Sequence, residues 1–186
     1  MIKIATAECF THGKIGIELH ALAQDYKGNF GSRYIKDPHN YGDFDYNELS
    51  VTCSLFIPTI EAVEKILNVK NPPKPDKLIK GIKVYDEKGD KTVSKIMARA
   101  VKDLSGCDIA IGTTAGIGHG AVSIITDEYE ITATTNVYAD LCKKNSEILF
   151  KRSENGTEKA LEIILLLLNK KISAIKNLEN TEIKNI

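Results

Sequence analysis

Near its start the chain passes from an apolar segment with strand composition, residues 2–7, through the short turn Cys9-Phe10-Thr11-His12 into a segment with helical spacing, residues 13–26. Ile15, Leu19 and Leu22 share one side of that helix, and Ile17 widens its apolar surface. The same order then returns. Residues 49–57 read as a strand, and Pro58 opens a helix that turns Ile60, Val63, Ile66 and Leu67 inward. Residues 82–85 form a short strand, followed by an amphipathic helix over 92–104 carried by Val93, Ile96, Met97, Ala100, Val101 and Leu104. Residues 108–111 give another strand, ended by a glycine-rich turn. Residues 121–126 and 130–135 resemble two strands joined at Asp127-Glu128-Tyr129, and a helix over 157–168 closes the core. Repeated strand–helix units bury their apolar faces by layering helices on a sheet. The fold expected is one α/β domain over residues 1–186: an open, mainly parallel sheet with flanking helices and an antiparallel hairpin. The lysine- and asparagine-rich tail at 171–186 is expected to fray.

Composition narrows the function classes. At 186 residues, 42% hydrophobic and 27% charged, the chain can bury one substantial core and is not built for disorder. Its net charge is zero and its pI is near 6.9, so it has no long-range attraction for a phosphate polymer, and nucleic-acid binding is disfavoured. The most apolar run, Ile163-Ile164-Leu165-Leu166-Leu167-Leu168, falls far short of the roughly 20 residues needed to span a bilayer. The first residues lack a signal-peptide arrangement, which points to a cytoplasmic protein. Cys9, Cys53, Cys107 and Cys142 are scattered without a close pair and read as free thiols, and no metal-ligand pattern is present.

Three segments could carry chemistry. In an open parallel sheet, ligands meet the chain beyond the carboxyl ends of strands, and the Cys9 turn occupies such a position. Beside a helix amino end, unpaired amides favour thiolate, the nucleophilic form, with Thr11 as a hydrogen-bond donor and His12 as a proton carrier or substrate-orienting group. Cys-x-x-His is also compatible with a metal ligand pair or with an inert buried thiol. The second segment is Gly112-Thr113-Thr114-Ala115-Gly116-Ile117-Gly118-His119-Gly120. Its amides could cradle a phosphate, with Thr113 and Thr114 adding hydroxyls. It lacks both the lysine of a Walker loop and the glycine spacing of the dinucleotide fingerprint, and it reads equally as a tight bend with His119 hydrogen-bonded locally. The third is the long polar interruption at 27–48, loosened by Gly28, Gly31 and Gly42. A connection of this length serves as a binding loop or lid, or as an excursion whose aromatics cover a hydrophobic edge. Tyr34, Tyr41 or Phe44 could cover a heteroaromatic ring and Asp37, Asp43 or Asp45 could accept its hydrogen bonds. Ordinary packing and solvation explain the same letters, and His39 reads as a turn residue. His20 reads as a helix-surface residue, and Cys53 and Cys107 as small core residues. Cys142 lies beside two lysines without a second catalytic group.

The opening Met1-Ile2-Lys3-Ile4-Ala5-Thr6-Ala7-Glu8-Cys9-Phe10-Thr11-His12-Gly13, together with the glycine-rich run and the overall size, resembles the archaeal HcgF family over nearly the whole chain. The resemblance implies a part in making the iron-guanylylpyridinol cofactor of Fe-hydrogenase in methanogenesis. It implies guanylylpyridinol or its adenylylated form as substrate, with Cys9 receiving the acyl group as a thioester and Thr11 and His12 beside it. Gly112, Thr113, Thr114, Gly116, Gly118 and His119 would then line the precursor site, Thr113 and Thr114 against the guanylyl phosphate. The implied partners are an upstream adenylylating enzyme and later iron-cofactor assembly proteins; a homodimer is left open, and no metal of its own is implied. No complete Cys-His-Asp triad is present, and a preactivated carboxylate does not need one. A non-catalytic nucleotide or precursor-binding module and a purely structural or partner-contact protein remain as alternatives.

Overall fold

Alternation along the strands divides the interior into two apolar layers, one on each face of a six-stranded sheet. In the computed structural model, which describes residues 1–186, the elements run β1 (Ile2–Glu8), α1 (Lys14–Ala23), β2 (Leu49–Phe56), α2 (Ile60–Lys65), β3 (Lys77–Ile79), β4 (Ile82–Val84) and α3 (Glu87–Ser105). There follow β5 (Ile109–Thr114), β6 (Ile117–Gly118), β7 (Ala121–Ile125), β8 (Tyr129–Thr134), β9 (Ala139–Asp140), α4 (Ser146–Leu168), α5 (Ile172–Lys176) and β10 (Thr181–Asn185). The main sheet has the order β10-β8-β7-β5-β1-β2. Ile4, Ile109, Ile111, Val122, Ile124 and Ile131 point to one face, where Ile15 and Leu19 of α1 and Leu161, Ile164 and Leu165 of α4 cover them. Ala5, Ala7 and Ala110 point to the other, beneath Val93, Met97 and Val101 of α3 and Val63 of α2.

The second face is built from small residues, and that lets α3 settle onto the strands. A Cβ added at Gly112 would lie 2.1 Å from the Ser94 carbonyl oxygen and 2.5 Å from the Ala98 amide nitrogen. Val93, Met97 and Val101 are fully buried in consequence, each burial contributing about 1.5–3 kcal/mol. The helix begins where Asp86 accepts a hydrogen bond from the Gly89 amide at 2.7 Å and ends at Gly106, whose φ of 61° suits a glycine.

The expected mainly parallel sheet is corrected to a mixed one. β1 pairs in parallel with β2 and β5, whereas β5–β7, β7–β8 and β8–β10 are antiparallel. The connection after β5 is too short to hold a crossover helix, so the chain returns beside itself. The hairpin read at 121–135 is present as β7 and β8, its turn fixed by Thr126 Oγ1 accepting from the Glu128 and Tyr129 amides. The strand read at 82–85 lies outside the main sheet, paired with β3 and bridged to Thr59. The helix read at 157–168 begins earlier, at Ser146, because Asn145 caps it by accepting from the Ile148 amide. Residues 171–186, expected to fray, instead form α5 and the edge strand β10. Ile175 fills the core completely, and residues 181–185 pair with β8 along their length. No helix is long and apolar enough to cross a membrane.

Candidate functional site

β1 delivers Glu8 and then Cys9 beyond its carboxyl end, next to the end of β5 with which it pairs. Between Cys9 and α1 the chain reverses through two consecutive left-handed residues, His12 (φ 57°) and Gly13 (φ 81°). A histidine in that region is uncommon and strained, and such strain concentrates at working sites. The turn is closed by His12 N–H donating to the Cys9 carbonyl at 3.2 Å and Lys14 N–H donating to Thr11 at 3.1 Å.

The sequence argument put the Cys9 thiol at the amino end of α1. In the fold that place belongs to the carboxylate of Glu8. The Ile15 amide donates to Glu8 Oε2 at 3.2 Å and the Gly16 amide to Oε1 at 2.9 Å, while Thr6 and Thr11 donate from their hydroxyls at 2.9 and 2.7 Å. Glu8 is completely buried. Burial pushes its carboxyl up from the ordinary value, and the four donors pull against that push. The first helical amides are therefore occupied by the chain's own carboxyl group, which closes them to a phosphate.

Cys9 is held from the opposite side. Its backbone N–H donates to Thr113 Oγ1 at 3.0 Å, and Thr113 Oγ1 lies 3.0 Å from Thr11 Oγ1. Each hydroxyl has one proton. Thr11 gives its own to Glu8, so Thr113 must give its own to Thr11. Donation then runs one way, from the Cys9 amide through Thr113 and Thr11 to Glu8. Thr6, Thr11 and Thr113 are all fully buried, and this relay fixes the backbone of the turn from below. The Cys9 side chain retains 6% of its exposure. Phe10 anchors the turn into the core. Gly156 makes room for it, since a Cβ there would stand 2.4 Å from the Phe10 ring.

Arg152 of α4 lies beneath the same turn. It is buried, its Cζ is 6.0 Å from the centre of the Phe10 ring, and it is within electrostatic reach of Cys9. Its Nη1 donates to the carbonyls of Gly116, Gly118 and Ala139, and its Nε has no partner. On the solvent side the His12 ring packs 5.6 Å from that of Phe56, tilted by 48°, and its Nδ1 sits 3.3 Å from Ser153 Oγ. Partial burial and then the nearby Lys14 ammonium lower the His12 pKa, favouring neutral imidazole. Lys14 donates to Ser153 at 3.2 Å, pairs with Glu154 and lies 5.0 Å from the centre of the Phe150 ring.

The glycine-rich run is committed elsewhere. Gly112, Thr113 and Thr114 are strand residues of β5, paired with β7. The Gly116 amide donates to Asp90 Oδ2 at 2.8 Å and the Ile117 amide to the Tyr85 carbonyl at 2.8 Å. Gly118 belongs to β6, paired with β9, and His119 Nδ1 lies 2.9 Å from Glu87 Oε2 at the surface. Thr114 is buried on the α3 side, beside Asp90, whose carboxyl burial pushes up to about 7 against the pull of the Gly116 amide and Arg152. Of the residues singled out in the sequence, Cys9, Thr11, His12 and Thr113 thus come together, while Thr114, Gly116, Gly118 and His119 face other partners. Glu8, Thr6, Arg152 and Ser153 complete the constellation. None of these four stood out in the sequence.

The segment at 27–48 is pinned along α1 and α4. Glu18 accepts from the Arg33 and Tyr34 amides, at 2.8 and 3.0 Å, and from Ser32 Oγ, and Tyr34 donates to Glu154 at 2.6 Å. Ile35 and Tyr46 are buried in the larger core, with Tyr34, Tyr41 and Phe44 packed against it. Its widest cleft, about 730 Å³, opens near the carboxyl end of α1 and includes Asp25, Tyr26, Asp37, Phe44, Asp45 and Tyr46. Cys9 lines none of the five principal clefts. No group of three or more His, Cys, Asp or Glu side chains is placed to hold a metal ion.

A family model described as FeGP cofactor biosynthesis protein HcgF matches residues 1–168. A UPF0254 protein of Methanococcus maripaludis strain C7 is 45% identical over 170 residues, which is 91% of this chain and 97% of the relative. UPF0254 proteins of Methanothermobacter thermautotrophicus strain Winter and Methanopyrus kandleri are each 41% identical. The alignments cover 88% and 87% of this chain, and 94% and 85% of those relatives.

Proposed function

The chain belongs to the HcgF family, and from that membership and the build of the Cys9 turn we propose that Cys9 accepts the acyl group of adenylylated guanylylpyridinol. The single observation that carries this reading is the relay from the Cys9 amide through Thr113 and Thr11 to Glu8. It holds a cysteine at a strand end in a strained turn, with a neutral histidine three residues on. Sulfur attacks the carboxyl carbon of the mixed anhydride, the carbon–sulfur bond forms and the bond to the adenylyl phosphate breaks. AMP leaves, and the thiol proton passes to His12 or to water. Arg152 contributes positive potential beneath the reacting atoms. The upstream adenylylating enzyme would supply the substrate, and later iron-cofactor assembly proteins would take the thioester.

The alternative is a precursor-binding module, favoured by one observation: the largest cleft, with its aromatic and acidic lining, does not include Cys9. AMP release separates the two. Mixed with preactivated guanylylpyridinol, the protein is expected to release AMP in a rapid burst approaching one equivalent per chain, and Cys9→Ala should abolish the burst. Saturable binding without AMP release in the wild type would favour the module.

A further inference from the structure

The imidazole of His12 is held at two places on the outer side of the Cys9 turn. Its ring packs 5.6 Å from that of Phe56 at the end of β2. Its Nδ1 sits 3.3 Å from Oγ of Ser153 on α4, the one hydrogen bond that the ring makes. Which of the two groups donates follows from a third. Lys14, at the start of α1, donates to the same Ser153 Oγ at 3.2 Å, and an ammonium has donors only. Ser153 is therefore an acceptor toward Lys14, and its own proton still needs a partner in a residue that is 1% exposed. A buried hydroxyl proton left without an acceptor costs about 1–3 kcal/mol. The acceptor in place is His12 Nδ1, so donation runs from Lys14 through Ser153 to the imidazole. Nδ1 then carries the lone pair and Nε2 the proton. Glu154 fixes the head of this chain. It pairs with Lys14 and accepts from Tyr34 at 2.6 Å, keeping the ammonium against Ser153.

We propose that Lys14 and Ser153 fix His12 as the Nε2-protonated tautomer, so that it donates a hydrogen bond to the acyl oxygen of the substrate and does not take the thiol proton of Cys9. This role rests on the reading of Cys9 as the acyl acceptor. A base must offer a lone pair. The one on Nδ1 is engaged by Ser153, and Nε2 offers none while it carries its proton. Partial burial and then the Lys14 ammonium also disfavour a second proton on the ring. Nε2–H has no partner within the chain and is left for a ligand. As sulfur attacks, negative charge grows on the acyl oxygen, and an N–H donor stabilises it there. The carbon–sulfur bond forms, the bond to the adenylyl phosphate breaks, and AMP departs with its electron pair. The thiol proton goes to water, and the imidazole proton stays on Nε2.

Two measurements on the full chain test this. Nitrogen-15 NMR spectra of the imidazoles, with the His12 signals identified by their loss in His12→Gln, should show a protonated Nε2 and an unprotonated Nδ1 near neutral pH. Ser153→Ala, with circular dichroism unchanged, should turn that signature into a mixture of both tautomers. A protonated Nδ1 in the wild type, or an unaltered signature in Ser153→Ala, would overturn the proposal. The AMP burst from preactivated guanylylpyridinol reads the donor role. His12→Ala should slow it about a hundredfold, the usual loss for one donor to a developing oxyanion. His12→Gln keeps an N–H close to the place of Nε2 without a basic nitrogen, and should stay within about tenfold of the wild type. Equal slowing in both variants would make His12 the base and overturn the donor role. An undiminished burst in His12→Ala would remove it from the reaction altogether. A wild type with the expected tautomer and no burst would instead count against Cys9 as the acceptor, leaving the tautomer assignment intact.

Discussion

At the carboxyl ends of β1 and β5 two loops lie side by side, and their polar groups are disposed in opposite ways. In the run at 112–120 the Gly116 and Ile117 amides are bound by Asp90 and the Tyr85 carbonyl, and Arg152 takes the carbonyls of Gly116 and Gly118. Its glycines answer to packing. Gly112 lies against the backbone of α3, and a Cβ at Gly116 would stand 2.3 Å from the Tyr85 carbonyl oxygen. The Cys9 turn is held from beneath by the Glu8–Thr11–Thr113 relay and by Phe10, with Cys9 almost wholly buried and His12 on its outer side. Gly13 has nothing within 4 Å of its added Cβ and is demanded by φ alone. A glycine-rich stretch can therefore be a packed wall, and a plainer turn beside it can hold the chemistry.

Substitution of the two glycine types should expose this contrast most strongly. Gly112→Ala drives a methyl into α3 backbone that cannot move aside, and a loss above about 4 kcal/mol is expected. Gly13→Ala meets no atoms and bears only the left-handed backbone, about 1 kcal/mol. Urea unfolding of both variants measures the gap; equal losses would remove the distinction between wall and turn.

Glu8→Gln is next in size. It replaces an acceptor of four hydrogen bonds with a group that, in either orientation, turns an NH₂ toward one backbone amide and one hydroxyl, at a cost of about 2–4 kcal/mol. Because the relay ends at Glu8, the AMP burst should slow while the substrate still binds. An unchanged burst rate in the folded variant would detach the relay from the chemistry.

Asp90 gives the wall a pH signature. Its folded pKa is raised to about 7 from an ordinary carboxylate value, so the fold favours the protonated form. The stability this contributes is complete below the unfolded pKa, near 4, and is lost as pH rises through 7. Between pH 5 and 8 the wild type should lose about 2–3 kcal/mol relative to Asp90→Asn. Parallel stability curves for the two proteins would show instead that Asp90 ionises in the fold as it does in water.

These contrasts also explain what the sequence could disclose. The place of the Cys9 turn, between β1 and α1, was legible because an apolar strand, a polar turn and a helical period follow one another within a few residues. The hairpin was legible from its alternation. The sheet's handling after β5 was not, since a glycine-rich turn reads alike before a crossover and before a return strand. β10 carries a single apolar residue, Ile183, so its strand character comes from pairing with β8 and leaves no pattern. The early half of α4 was hidden because Arg152, Ser153 and Gly156, all buried there, interrupt the apolar period. Glu8 ends a strand like any surface acid would, and only the folded chain brings Thr6, Thr11 and the start of α1 around it.

The central assignment rests on which cysteine is acylated. Peptide mapping of the protein after reaction with preactivated guanylylpyridinol, with and without hydroxylamine, decides it. The expected result is one hydroxylamine-labile acyl group on the peptide containing Cys9 and none on Cys53, Cys107 or Cys142. An acyl group on another residue, or full acylation persisting in Cys9→Ala, would contradict it.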